Sequence, residues 1–184
     1  MATTRMHLPT RRLITLGALA AAVSPARAAP FVVLMRHATA PGTGDPPGFA
    51  LGFCATQRNL SAEGRAEAVG AGAFLRRAGI RVDRLLSSRW CRCQETARLL
   101  DLGPVEDFRP LDSFYADAAE GPARTEAVKT LLRDNPDRRI ALVTHQVNIT
   151  ALTGIFPRPA EIILAQVGTR PSDPVTVVDR IIAA

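Results

Sequence analysis

Histidine and arginine recur in this sequence where apolar runs stop. Phe31 to Met35 is an unbroken run, Phe-Val-Val-Leu-Met, that ends in Arg36-His37, and Ile140 to Thr144 is a second that ends in His145. Runs of this length suit strands buried on both faces of a parallel sheet. In an open α/β sheet, ligands bind beyond the carboxyl ends of the strands, so both imidazoles are expected at the ligand edge. An imidazole titrating near pH 6.5 can attack or exchange protons at neutral pH, and a guanidinium beside it holds an anion. A third stretch, Ser87-Ser88-Arg89-Trp90-Cys91-Arg92-Cys93-Gln94-Glu95-Thr96-Ala97, reads as a strand turning into a helix with Arg92 in the first turn. Free N–H groups there favour an anion, and an arginine fork can grip two phosphate oxygens. Since 22 of the 23 Lys+Arg residues are arginine, composition alone does not single Arg92 out from solvated surface arginines.

The elements that would carry these residues alternate between strand and helix, which predicts an α/β sandwich with a mainly parallel central sheet. Ala40 to Gln57 is rich in glycine and proline and predicts a surface loop. Ser61 reads as the N-cap of a helix over 62–78 closed by Gly79, with Ala66, Val69, Gly70, Ala73 and Phe74 as its apolar stripe. Further on, strands are expected over 82–88 and 105–108, the latter at an edge, and helices over 90–100, 122–133 and 148–154. Residues 109–120 read as loop. Strands over 161–167 and 174–181 close the chain as a hairpin.

The 184 residues are 47% hydrophobic and 22% charged, which excludes a disordered or collagen-like chain and fits one well-buried domain. The net charge of +6 is concentrated at the start, where residues 1–28 hold four arginines and no acid. Beyond residue 28 the chain has 19 basic and 17 acidic side chains, a balance that removes the case for a nucleic-acid surface. The first 28 residues have the form of an export signal: Arg5, Arg11 and Arg12, an apolar run from Leu13 to Val23, and Ala26-Arg27-Ala28 before the expected cut. Thr10-Arg11-Arg12-Leu13 resembles a twin-arginine signal. The expectation is a periplasmic or secreted protein spanning residues 29–184, without stable membrane insertion, because the apolar run falls short of the roughly 20 residues a permanent span needs. Three cysteines then remain, and in an oxidising compartment an odd count suggests one bridge and one spare thiol, here Cys54 with Cys91 or Cys93.

Four short motifs carry a family resemblance. Leu34-Met35-Arg36-His37-Ala38 resembles the Arg-His-Gly signature of the histidine phosphatase (phosphoglycerate mutase-like) superfamily. Asn59-Leu60-Ser61-Ala62-Glu63-Gly64 followed by Ala68 is similar to its Leu-Thr-x-x-Gly helix start. Ser87-Ser88 with Arg92 and Thr96-Ala97 resembles its second arginine motif, and Val143-Thr144-His145 its second histidine strand. The resemblance implies a three-layer α/β/α fold and a cofactor-free phosphatase acting on a phosphorylated small molecule or macromolecule. In it His37 would take the phosphoryl group, water would release it, and Arg36, Arg92 and His145 would surround it.

The chain departs from the family pattern in three places. Ala38 replaces glycine, and Arg89-Trp90 stand where Pro-Leu is common. Where many relatives place a glutamate that protonates the leaving oxygen, this chain has Leu111-Asp112-Ser113-Phe114-Tyr115, so Asp112 is the nearest acid and Asp117 a poorer one. Arg58 is expected to reach the substrate, and Gln146 and Asn148 to line the site or cap the short helix. The competing readings are a phosphate-binding module of the same fold with little turnover, motivated by the missing glutamate, and a zinc site. The zinc reading fails on spacing, because no H-x-x-x-H or C-x-x-C pair is present.

Overall fold

The computed structural model describes residues 31–170 and 172–183; the expected export signal and its cut after Ala28 lie outside them. The described chain forms one six-stranded sheet in the order β3-β2-β4-β1-β5-β6. Its strands are β1 Val32–Arg36, β2 Arg84–Ser87, β3 Val105–Asp107, β4 Ile140–Thr144, β5 Ile162–Val167 and β6 Val175–Ile181. The first four run parallel, and β5 and β6 add an antiparallel hairpin on the β1 side. Helices α1 Ala62–Arg77 and α2 Cys91–Leu100 cover one face, and α3 Gly121–Arg133 and α4 Gln146–Thr153 the other.

The layers follow from the side-chain period of two along a strand. Val33 and Met35 of β1, Leu85 of β2, and Ala141 and Val143 of β4 point to one core, with Leu75 of α1 and Ala97 and Leu100 of α2. Val32 and Leu34, Leu86, and Ile140 and Leu142 point to the other, with Val128 of α3 and Ile149 of α4. The central strands read as continuous apolar runs because both of their faces are covered.

Helix α1 starts where its sequence predicts, with the Ser61 hydroxyl accepting the Gly64 N–H at 3.0 Å. Its buried stripe is not the predicted one. Gly64, Ala68, Ala71, Gly72 and Leu75 are buried, whereas Ala66 is exposed and Val69 is 48% exposed. The cause is a close helix-to-backbone approach that only small residues permit. A Cβ on Gly72 would run into the Leu100 carbonyl of α2, and one on Gly64 into the Thr39 backbone just after the Arg36-His37 pair. Residues 109–120, predicted as loop, contain two short 3-10 turns, Arg109–Leu111 and Ala118–Glu120. Helix α4 begins two residues before its predicted start, at Gln146 directly after His145.

Gly72→Ala tests this packing. Alanine gains about 1 kcal/mol of helix propensity over glycine, but the backbone collision outweighs it. A net loss of roughly 1–2 kcal/mol of stability is expected in urea unfolding, within the usual cost of overpacking.

Candidate active site

Sheet register builds the site. Strands β1 and β4 are neighbours and pair Arg36 with Thr144, so the next residues, His37 and His145, leave the sheet side by side. The His37 N–H donates to the Thr144 carbonyl at 2.9 Å, and the two imidazole centroids are 5.5 Å apart. His37 Nδ1 lies 2.8 Å from the Ala38 carbonyl, an acceptor only, so Nδ1 carries the proton and Nε2 the lone pair. That lone pair receives the Nε–H of Arg92 at 3.2 Å. Ala38, in the usual glycine position, is fully buried and donates its N–H to Thr96 Oγ1 of α2 at 3.1 Å.

Arg92 is shared further. Its Nη1 donates to Asp45 Oδ1 at 2.8 Å and its Nη2 faces His145 Nδ1 at 3.5 Å. The second imidazole is set by a buried chain behind it. His145 Nε2 lies 2.8 Å from Ser88 Oγ, and that hydroxyl donates to Asp112 Oδ1 at 3.3 Å. With its proton directed to Asp112, Ser88 Oγ accepts from His145 Nε2–H, which leaves the His145 Nδ1 lone pair toward Arg92.

Burial pushes the His37 pKa down to about 3, with the Arg92 charge as the second cause and the bond to Ala38 opposing them. His145 also lies well below the usual imidazole range, first through burial, then through His37 and the arginines. Both imidazoles are therefore neutral at physiological pH. Arg36 is lowered by burial and by Arg92; it donates Nη1 to the Pro157 carbonyl at 3.0 Å, while its buried Nε has no partner among the described residues. The anion these cations invite would enter a cavity of about 120 Å³ lined by Arg36, His37, Asp45, Arg58, Arg92 and His145, with Gln146 at its wall. A larger cavity of about 470 Å³ lies at the opposite ends of the strands, where Phe31 and Val32 meet residues 135–138, and has no histidine in its lining.

The cavity thus gathers Arg36, His37, Arg58, Arg92, His145 and Gln146, but Asp112 is not part of its wall. Asp112 is fully buried behind it. Oδ2 accepts from Arg89 Nε at 2.9 Å and Nη2 at 2.6 Å, and Oδ1 accepts the Arg89 N–H at 2.9 Å. Ion pairing to Arg89 turns the carboxylate inward, so the structure places Asp112 away from the cavity in which the sequence reading expects an acid for the leaving oxygen, and its contact with the site runs through Ser88. Ser113 faces the cavity in its place, and Asp117 caps a 3-10 turn through a bond to the Ala119 N–H. Arg58 reaches the wall, but it donates to the carbonyls of Ala40, Gly42 and Gly44 and so shapes the 40–57 loop. Gln146 donates to Thr150 Oγ1 at 2.9 Å, and Asn148 is buried with its amide on the Asp112 carbonyl at 3.0 Å.

Sequence reading missed Asp45 and the role of Trp90, whose indole Nε1–H donates to Asp45 Oδ2 at 3.0 Å. No spacing rule marks an acid inside a Gly/Pro loop. The departure Arg89-Trp90 was visible in sequence, and its two side chains turn out to hold Asp112 and Asp45.

No protein-family model and no curated protein matches the sequence. Among solved structures, the chain is similar to the protein histidine phosphatase SixA complexed with tungstate, at a TM-score of 0.61 and 15% identity over 83% of this chain and 97% of that one. It is also similar to a putative phosphohistidine phosphatase SixA from Agrobacterium tumefaciens (TM-score 0.58, 19% identity, 83% and 97% covered). A mycobacterial glucosyl-3-phosphoglycerate phosphatase in complex with inorganic phosphate matches as well (TM-score 0.59, 19% identity, 85% and 98% covered). The six-stranded sheet with helices on both faces is the phosphoglycerate mutase-like fold of histidine phosphatases.

The two buried neutral imidazoles make stability depend on pH. Their folded pKa values lie below the unfolded value near 6.5, so below that pH the unfolded chain binds protons that the folded chain refuses. Stability is expected to fall by up to about 1.4 kcal/mol per pH unit for each histidine as pH drops below 6.5, for His37 down to about pH 3. Urea titrations at pH 7, 5.5 and 4.5 should show this slope, and His37→Ala should roughly halve it, leaving the His145 share.

Proposed function

We propose that this chain is a phosphohydrolase in which His37 Nε2 takes the phosphoryl group of a phosphomonoester or related phosphoryl compound and water then removes it. The observation that carries the reading is a histidine held neutral, with Nδ1–H fixed on the Ala38 carbonyl and the Nε2 lone pair directed into a wall of three arginines. Nucleophilic attack needs that lone pair. Arg36 and Arg92 would hold the equatorial phosphoryl oxygens, whose charge persists through transfer. His145, fixed by Ser88 and Asp112, would present Nδ1 to the same oxygens, and once the phosphate brings its negative charge this imidazole gains the means to donate.

The neighbours support an oxyanion ligand, because two of them hold tungstate and inorganic phosphate. We propose that turnover needs no metal. In this reading Arg36 and Arg92 supply the positive charge at the phosphoryl oxygens that a metal would otherwise provide. We also propose that the chain is exported as a small member of the superfamily. The Cys54–Cys91 disulfide supports an oxidising compartment, and no described helix is long and apolar enough to cross a membrane.

Protein starting at Ala29 should release phosphate from p-nitrophenyl phosphate in the presence of a chelator, and His37→Ala should lower kcat at least about a thousandfold. A phosphorylated His37 peptide should be trapped by rapid quenching. Undiminished activity in His37→Ala would exclude the phosphohistidine route, and tight vanadate binding without turnover would favour a phosphate-binding module. Mass spectrometry of the exported protein should find Ala29 as its first residue; an intact Met1 terminus would refute export.

A further inference from the structure

With Asp112 sequestered, the acid that protonates the leaving oxygen has to be found elsewhere. Among the described residues lining the cavity, Asp45 is the sole carboxyl. It is held by both oxygens, Oδ1 on Arg92 Nη1 at 2.8 Å and Oδ2 on Trp90 Nε1 at 3.0 Å. The same Arg92 gives its Nε–H to His37 Nε2, so one planar guanidinium spaces the attacking nitrogen and the carboxyl on either side of the place a phosphoryl group would take.

The loop that carries Asp45 is pinned to the first turn of α2 at several further points. Cys54 is bridged to Cys91, Gln57 Oε1 accepts the Cys91 N–H at 2.9 Å, and Phe49 stacks on Trp90 with centroids 5.2 Å apart. Arg58 clasps the carbonyl of Gly44, the residue before Asp45, through Nε at 2.6 Å. A Gly/Pro-rich segment is held this firmly around a single acid at the mouth of the cavity.

We infer that Asp45 is the proton donor to the leaving oxygen and the base toward the attacking water; this rests on the phosphatase reading of the same site. A phosphomonoester has its second ionisation near pH 6, so it can enter as a monoanion with one proton. As phosphoryl oxygens take over Arg92 Nη1, the displaced carboxylate accepts that proton. His37 Nε2 then forms the N–P bond with its lone pair while the P–O bond breaks toward the leaving oxygen. That oxygen keeps the electron pair, takes the Asp45 proton and departs as an alcohol. In the second half, the Asp45 carboxylate takes a proton from water as the water oxygen bonds to phosphorus. The N–P electron pair returns to Nε2, and phosphate leaves with the proton that Asp45 collected.

The test compares Asp45→Asn and Asp45→Ala with the parent protein on two probes, β-glycerol phosphate, whose alkoxide leaves poorly unless protonated, and p-nitrophenyl phosphate, whose phenolate leaves without help. The inference expects kcat/KM on the alkyl ester, which reports only the steps up to departure of the alcohol, to fall about 10²- to 10⁴-fold, the usual span for a general acid. The aryl ester should lose less than about tenfold in kcat/KM by the same argument, since the water-attack step that both esters share does not enter that ratio. Inorganic phosphate should stabilise both variants against heat at least as well as it stabilises the parent, because Arg92 is freed. Equal losses on the two esters would overturn the inference and reduce Asp45 to a support for Arg92. An unchanged alkyl rate in a parent protein that hydrolyses both esters would overturn it while leaving the phosphatase reading intact. A parent protein inert toward both esters would overturn both readings. Asparagine keeps the shape and the Trp90 contact, so Asp45→Asn decides the matter if the alanine variant does not fold.

Discussion

The guanidinium of Arg92 is the contact on which the rest of the site depends. It is almost completely buried, and its donors meet His37 Nε2, His145 Nδ1 and Asp45 Oδ1, three groups that arrive from β1, β4 and the 40–57 loop. A buried cation is costly unless it is hydrogen-bonded and opposed by negative charge. Asp45 supplies that charge here. An incoming phosphoryl group could supply it in turn, so the electrostatic demand that orders these side chains is the same demand that would draw an anion in.

Arg92 is placed by backbone register, close packing and one disulfide. Helix α2 begins at Cys91, a three-residue turn after β2, whose Ser87 pairs with Val143 of the second histidine strand β4. The helix is then fixed from outside by α1, which comes close enough for Gly72 to lie on the Leu100 carbonyl. It is fixed from the loop side by Cys54–Cys91, which closes a separation of 37 residues. On the chain-entropy account a loop of that size is worth about 4 kcal/mol to the folded state. The constraint falls on the Gly/Pro segment that has no regular structure of its own to hold Asp45.

The fold was largely legible in the sequence. Buried parallel strands must be apolar on both faces, so Phe31 to Met35 and Ile140 to Thr144 announced themselves, and the glycine, proline and serine punctuation marked where helices and loops begin. The stripe of α1 was misjudged because hydrophobicity ranks Val69 above Gly64 and Gly72, whereas close approach of another backbone selects for the absence of a side chain. Asp112 was misjudged for a related reason. Its position in the chain is near the site, but the direction of its carboxylate is set by Arg89, and one residue of difference separates it from Ser113, which does face the cavity.

The sequence by itself determined the alternation of strands and helices, and hence that Arg36, His37, Arg92 and His145 fall at carboxyl ends of strands or at a helix start. That much follows from local periodicity and from the chemistry of residue types. Only the tertiary structure decided that β1 and β4 are adjacent in register, which brings the two imidazoles within contact. It alone chose Cys91 over Cys93 as the partner of Cys54, and Asp45 over Asp112 as the acid of the cavity. Those choices depend on directions and distances between segments far apart in the chain, and no local pattern of residues encodes them.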